Sequence, residues 1–158
     1  YIGAGEYRHH FFERMKKNKF RVVDVVEIDN KNCEWIKKSY TWVNSVINED
    51  IRKFSKTSLG ITDIGESRLR EEDFYCCDVI LWSHGVETIP KVSGKTVLKR
   101  LEIMSSKLIV NMTPYGDAGG TGNVSAWYPL DFEGMGYKTD MLKNKNERNS
   151  NLLAWKYI

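Results

Sequence analysis

Four short clusters in this chain hold residue types that do chemistry, and three of them close or follow an apolar run, while the first has only Tyr1 and Ile2 before it. Gly3-Ala4-Gly5 offers backbone with few side chains in the way, so a ligand can approach the main chain closely. Glu27 ends the run Phe20 to Ile28, FRVVDVVEI, and Asp29 lies just beyond it. Asp50 closes the acidic turn Asn48-Glu49-Asp50, where a carboxylate can accept a hydrogen bond from an exocyclic amine. Trp82-Ser83-His84-Gly85 leaves the run Cys77 to Trp82, CDVILW. Glu27 follows Gly5 by roughly 20 residues, the spacing at which an acid meets ribose hydroxyls in dinucleotide-binding α/β folds.

Each cluster also has a plainer reading. The glycines can form an ordinary helix-entry turn, Glu27 and Asp29 can be solvated strand-end acids, and Asp50 can be an N-cap or loop acid. His84, with a reference pKa near neutrality, is the candidate base, against the alternative of a capping or packing histidine. His9 and His10 fall on the first helix, where solvent or cofactor-side contact is the ordinary role. Tyr115, Trp127 and Tyr128 flank a glycine-rich stretch and can wall an acceptor pocket, with the loop as a lid. Trp127 can equally be a core anchor, and Asp117 is a second base candidate or an exposed loop acid.

The elements that must position these residues follow from periodicity. Phe11, Phe12 and Met15 mark an amphipathic helix ending near Asn18, and Phe20 to Ile28 reads as a strand. Asn30 is read as the cap of a second helix with Cys33, Trp35, Ile36 and Tyr40 inside. Val43 to Ile47 is a short strand, and Arg52 to Asp73 a long loop with a short helix over Ser67 to Glu72. Cys77 to Trp82 is a buried strand, Gly94 to Ser105 a helix using Val97, Leu98, Leu101 and Met104, and Lys107 to Met112 another strand. Thr113 to Asn123 reads as a mobile loop, and Trp127 to Met135 as a helix with Pro129 in its first turn. Gly136 to Thr139 and Asn151 to Tyr157 are two last strands around an Asn-rich turn. This order is an α/β pattern with a mostly parallel sheet and an antiparallel ending.

The chain has 158 residues, 41% hydrophobic and 28% charged, with a net charge of +3. That length suits one domain, 1–158. The positive residues are interleaved with acids, so charge alone gives no nucleic-acid or membrane signal. No apolar run is long enough to span a bilayer, and no signal-peptide pattern opens the sequence. Cys33, Cys76 and Cys77, an odd count with two adjacent, read as reduced structural cysteines of a cytoplasmic protein. No His/Cys spacing suits zinc. A nicotinamide fingerprint wants a third glycine where Arg8 stands, and no P-loop occurs.

On these residues the chain resembles the class I S-adenosylmethionine-dependent methyltransferases along nearly its whole length. Ile2-Gly3-Ala4-Gly5 is similar to the family's first motif and Val26-Glu27-Ile28-Asp29 to its second. Glu49-Asp50-Ile51 is similar to the adenine-contact segment, and Asp78 to Trp82 to the fourth strand. HGVETIPK, His84 to Lys91, resembles the segment after that strand, which often has Glu-His where this chain has Glu87-Thr88. Ser125-Ala126-Trp127, Asp131-Phe132, Gly136-Tyr137 and Asn151 to Lys156 resemble the closing elements. Two positions depart: Tyr7 stands where a third glycine is common, and Tyr1 where an Asp or Glu commonly meets the cofactor's amino group.

The resemblance implies a Rossmann-like, doubly wound, seven-stranded sheet with helices on both faces, and a first strand reduced here to Tyr1 and Ile2. It implies S-adenosylmethionine as cofactor and S-adenosylhomocysteine as product. Gly3, Ala4, Gly5, Glu27, Ile28, Asp50, Ile51, Trp82 and Ser83 would bind the cofactor, with His84, Tyr115 and Trp127 on the acceptor side. The expected reaction is methyl transfer to oxygen or nitrogen of a small molecule or saccharide. A non-catalytic domain of the same fold is the alternative, and a nicotinamide oxidoreductase a more distant one.

Overall fold

The computed structural model describes residues 1–3, 9–54, 77–116, 122–142 and 150–158, with the side chain of His9 left aside. Two compact units divide the chain, Tyr1–Asp63 and Ile64–Ile158. The expected loop over Arg52 to Asp73 lies mostly outside the described residues, as do the short helix within it and the turn over 143–149.

In the first unit, helix α1 (His9–Lys17) is followed by β1 (Asp24–Glu27), α2 (Asn30–Ser39) and β2 (Ser45–Asn48). β1 and β2 pair in parallel, from Asp24 opposite Ser45 to Glu27 opposite Asn48. Parallel neighbours need a crossover, and α2 supplies it. Ile2 adds a parallel bridge to Val26, made by the Val26 amide to the Tyr1 carbonyl at 2.9 Å and the Gly3 amide to the Val26 carbonyl at 3.0 Å. Phe12 is fully buried and stacks on Tyr40 with ring centroids 4.5 Å apart, which ties α1 to the end of α2.

The strand expected over Phe20 to Ile28 is shortened to its C-terminal half, Asp24–Glu27. α1 ends in a Schellman motif: the Lys19 amide reaches the Lys16 carbonyl at 3.0 Å and the Phe20 amide reaches that of Met15 at 3.2 Å, with Lys19 at φ 58°. The reversal turns the following residues outward, so Phe20 and Val22 are 45% and 65% exposed despite their strand-forming side chains. The cap of α2 is Asp29 rather than Asn30. Its carboxylate accepts from the amides of Lys31 and Asn32. Cys33 and Ile36 are buried on the inner face as expected, and Lys37 and Lys38 complement the dipole at the other end.

The second unit holds β3 (Cys77–Ser83), a 3-10 turn (Val86–Thr88), α3 (Lys91–Met104), β4 (Ser105–Pro114), α4 (Pro129–Glu133), β5 (Lys138–Leu142) and β6 (Asn151–Tyr157). The strand order is β3-β4-β6-β5. β3 and β4 are parallel, while β6 runs antiparallel to both β4 and β5. The sheet structure is thus mixed, with the last strand, β6, reversed against its neighbours as expected, but six strands rather than seven are formed among the described residues, with Ile2 contributing only a bridge.

α3 buries Val97, Leu98, Leu101 and Met104, as its spacing predicts, but begins at Lys91 rather than Gly94. β4 runs directly out of α3, because the Ser105 hydroxyl bonds to the carbonyls of Asp78 and Leu108, each at 3.0 Å. Pro129 takes the first turn of α4, where its missing amide costs nothing.

Trp127 anchors this unit. It is fully buried, tilted on Phe132 at 4.9 Å, and its indole N–H donates to the Ser125 hydroxyl at 2.8 Å. Gly94 is the reason it fits: a Cβ there would lie 2.6 Å from the Trp127 ring and 3.0 Å from Val86. Gly94→Val should therefore destabilise the protein by about 1–3 kcal/mol through overpacking. Chemical denaturation measures this, and an unchanged midpoint would mean that the ring can move aside.

Candidate functional site

The carboxyl end of β1 is organised around Glu27. Its side chain is only 5% exposed, and its Oε1 accepts the Asp29 amide at 2.9 Å. Its carbonyl accepts the Glu49 amide at 3.1 Å, the Asn48 side-chain amide at 3.1 Å and the Cys33 thiol at 3.5 Å. The Asn48 amide also reaches the Ile28 carbonyl at 2.9 Å, so one side chain clasps the exits of β1 and β2. Asn48 was not among the sequence candidates, since its role exists only once the strands pair.

Asp29 spends its carboxylate on capping α2, which leaves Glu27 as the acid at this strand end. Ile28 is exposed at the exit. Gly3 adopts φ 70°, a conformation that favours glycine, while Ala4 and Gly5 lie outside the described residues.

Asp50 begins a turn through Ile51 to Lys53. Its Oδ1 accepts the Arg52 amide at 2.9 Å. The Arg52 Nε lies 3.0 and 2.9 Å from its two oxygens. This guanidinium holds the Asp50 carboxyl below its ordinary range. The loop-acid reading therefore describes its present contacts, and Arg52 is the partner that sequence reasoning did not foresee. Cys33 is buried, and burial pushes its thiol pKa up, as suits a structural cysteine.

In the second unit, β3 delivers Trp82, Ser83 and His84. Trp82 and Ser83 are buried, so Trp82 is a core side chain whose backbone alone is placed at the strand end. His84 adopts φ 51°, and its amide donates to the Met112 carbonyl at 2.7 Å. Its Nδ1 lies 3.6 Å from Oε1 of Glu87, itself buried. The other carboxylate oxygen accepts the Thr113 hydroxyl at 3.0 Å. The Glu87 carbonyl accepts the amides of Val124 and Ser125 at 2.7 and 3.0 Å. Neither Glu87 nor Thr113 was read as a site residue. The only local signal was an acid three positions after a histidine.

Tyr115 and Tyr128 meet edge to face at 5.6 Å and are both exposed. Of the two readings of Trp127, its present contacts are those of a core anchor, since its ring is wholly interior, while Tyr128 carries an exposed aromatic face. Lys91 lies 5.6 Å over the Tyr128 ring and 2.8 Å from Asp131. His10 is exposed on α1, and Asp117 lies outside the described residues. Among the described residues no group of three or more His, Cys, Asp or Glu side chains is placed to hold a metal. None of the described helices is long and apolar enough to cross a membrane.

No family model matches the chain, and no curated protein matches it by sequence. Solved structures do match its fold. The N-methyltransferase NodS from Bradyrhizobium japonicum WM9, crystallised with S-adenosylhomocysteine, aligns with 99% of this chain and 74% of its own at TM-score 0.64 and 14% identity. The 1,6-didemethyltoxoflavin-N1-methyltransferase of Burkholderia thailandensis, with substrate and S-adenosylhomocysteine bound, aligns with 99% of this chain and 69% of its own at 0.63 and 10%. The small RNA methyltransferase HEN1 aligns with 99% of this chain but 25% of its own, at 0.57 and 9%. The protein thus has an α/β fold with a mixed sheet. It is the fold of the S-adenosylmethionine-dependent methyltransferases.

A depressed carboxyl contributes stability above its unfolded pKa and loses it as pH falls through the folded value. For Asp50, whose reference value is 3.8, that window lies below about pH 4. Asp50→Asn should therefore show a shallower loss of stability than wild type across this window in urea unfolding. Parallel curves would mean that the Arg52 pair is screened away.

Proposed function

We propose that residues 1–158 act as one S-adenosylmethionine-dependent methyltransferase domain that methylates an oxygen or nitrogen acceptor. The observation that carries this reading is Glu27: a buried carboxylate at the end of β1, aimed by the Asp29 amide, in a chain with the fold of proteins crystallised with S-adenosylhomocysteine. A carboxylate so held suits a ribose diol, which offers two adjacent donors.

In this reading Gly3, Ala4 and Gly5 bring backbone to the carboxypropyl end, and Ile28 and Ile51 cover the adenine. Asp50 receives the exocyclic amine, and Trp82 and Ser83 contribute the strand-end backbone. Bound S-adenosylmethionine supplies an electrophilic methyl on a sulfonium. The chain's task is to align an acceptor lone pair in line with that bond and exclude water. His84 takes the proton that the acceptor loses. Tyr115 and Tyr128 present the wall against which a small molecule or saccharide lies, with Trp127 beneath it as support. The neighbours' acceptors range from toxoflavin precursors to small RNA, and the interleaved charge of this chain favours the small acceptor.

A non-catalytic domain that keeps the cofactor site is the second reading, favoured by Tyr1 where the family's first-motif acid would stand. Thermal shift separates the cofactor classes: S-adenosylhomocysteine should raise the melting temperature, and NAD(P) should not. No shift with either ligand would sink the cofactor assignment. Glu27→Ala should weaken S-adenosylhomocysteine binding by roughly 1–3 kcal/mol, and unchanged affinity in calorimetry would remove Glu27 from the ribose site. Methyl transfer from labelled cofactor to a panel of hydroxyl and amine acceptors separates the catalytic reading from the second.

A further inference from the structure

We propose that Glu87 is the positioning residue for His84, holding the imidazole as its Nδ1–H tautomer so that the Nε2 lone pair is the proton acceptor. The inference deepens the proposed role of His84 and rests on it.

Glu87 is an unusual place for an acid. It is 4% exposed, and a carboxylate withdrawn from water is costly unless its oxygens are matched. Thr113 matches one oxygen through a 3.0 Å hydroxyl bond. His84 Nδ1 approaches the other at 3.6 Å, an ion-pair separation just beyond hydrogen-bond length, of the kind that tightens when a catalytic site is occupied.

Neither partner is free to drift. The Glu87 carbonyl is pinned by the Val124 and Ser125 amides at 2.7 and 3.0 Å. The Ser125 hydroxyl bonds in turn to the Ile89 carbonyl at 2.8 Å. His84 is fixed by the hydrogen bond from its amide to the Met112 carbonyl at 2.7 Å and by φ 51°. That left-handed backbone is disfavoured for a side chain with a Cβ and persists only where its surroundings hold it.

An imidazole nitrogen beside a buried carboxylate keeps its hydrogen there, and the partner of one ring nitrogen decides the state of the other. The proton leaving an acceptor hydroxyl or amine then goes to Nε2. The imidazolium so formed is stabilised by the Glu87 charge, while the acceptor lone pair would form the new bond to the methyl carbon as the methyl–sulfur bond breaks, its electron pair staying on the sulfur of the departing S-adenosylhomocysteine. Simple buttressing of the turn by Glu87 would explain its burial but would require no particular tautomer.

The test reads the ring itself, in the full chain. Long-range ¹H–¹⁵N correlation spectra above the ring's titration should show His84 with a protonated Nδ1 and an unprotonated Nε2, its signals identified by their loss in His84→Gln. A wild-type ring protonated at Nε2 overturns the proposal. Glu87→Leu, or Glu87→Met should the first not fold, should move the ring toward the Nε2–H form usual for a solvated histidine. Retention of Nδ1–H in a folded variant would assign the tautomer to another group and overturn the proposal as well. Cofactor affinity enters neither readout, so loss of S-adenosylhomocysteine binding would overturn the proposed function while leaving the tautomer result intact.

Discussion

A carboxylate taken out of water must be matched locally, and in both units that requirement organises the strand exits. Glu27 and Glu87 are each at most 5% exposed. The Glu27 carboxylate takes the Asp29 amide, while its main-chain carbonyl takes the Glu49 amide, the Asn48 side chain and the Cys33 thiol. The same turn places Asp29 to cap α2. The Glu87 carboxylate meets Thr113 and His84, while its main-chain carbonyl takes the amides of Val124 and Ser125. Hydrophobic burial can bring these segments together, but it is indifferent to their exact setting. Polar satisfaction is not, since an unmatched buried acceptor costs more than a matched one gains. The acids thus fix the turns, and the turns fix the residues with chemistry to offer.

What sequence reasoning reached was whatever is decided within one element. The buried faces of α2 and α3, the Asn151–Tyr157 strand and Pro129 in the first turn of α4 all follow from local spacing. Errors arose where a neighbour decides. Phe20 and Val22 have strand-forming side chains, yet the Schellman reversal at Lys19 leaves them outside the pairing. Asp29 and Asn30 are both good caps, and the Glu27 carboxylate, by holding the Asp29 amide, settles which of them serves. The two readings left open for Trp127, pocket wall and core anchor, are likewise told apart only across the fold, by the space that Gly94 leaves for its ring.

The candidate site divides along the same line. Glu27, Asp50 and His84 were legible because each ends or follows an apolar run, and a strand end is a recognisable place in a sequence. Asn48, Arg52, Glu87 and Thr113 were not, because each acts across a gap closed by folding. Thr113 reads as the start of a glycine-rich loop. It is instead the penultimate residue of β4, and its hydroxyl answers an acid many residues earlier.

Under the proposed function, this division also separates what the fold determines from what it leaves open. Cofactor recognition draws on strand ends and their first turns, where hydrogen bonding sets positions closely: Gly3 through Val26 and Glu27 through Asp29. Acceptor recognition draws on Tyr115 and Tyr128, which hold each other by an edge-to-face contact at the border of β4 and α4. Lys91, which lies over the Tyr128 ring, is already bound to Asp131 at 2.8 Å, so the wall presents ring faces more than charge. Such a surface discriminates by shape and by stacking, and those depend on loop residues rather than on the sheet. One scaffold can therefore keep its cofactor chemistry while neighbours of the same fold serve acceptors as different as a toxoflavin precursor and a small RNA.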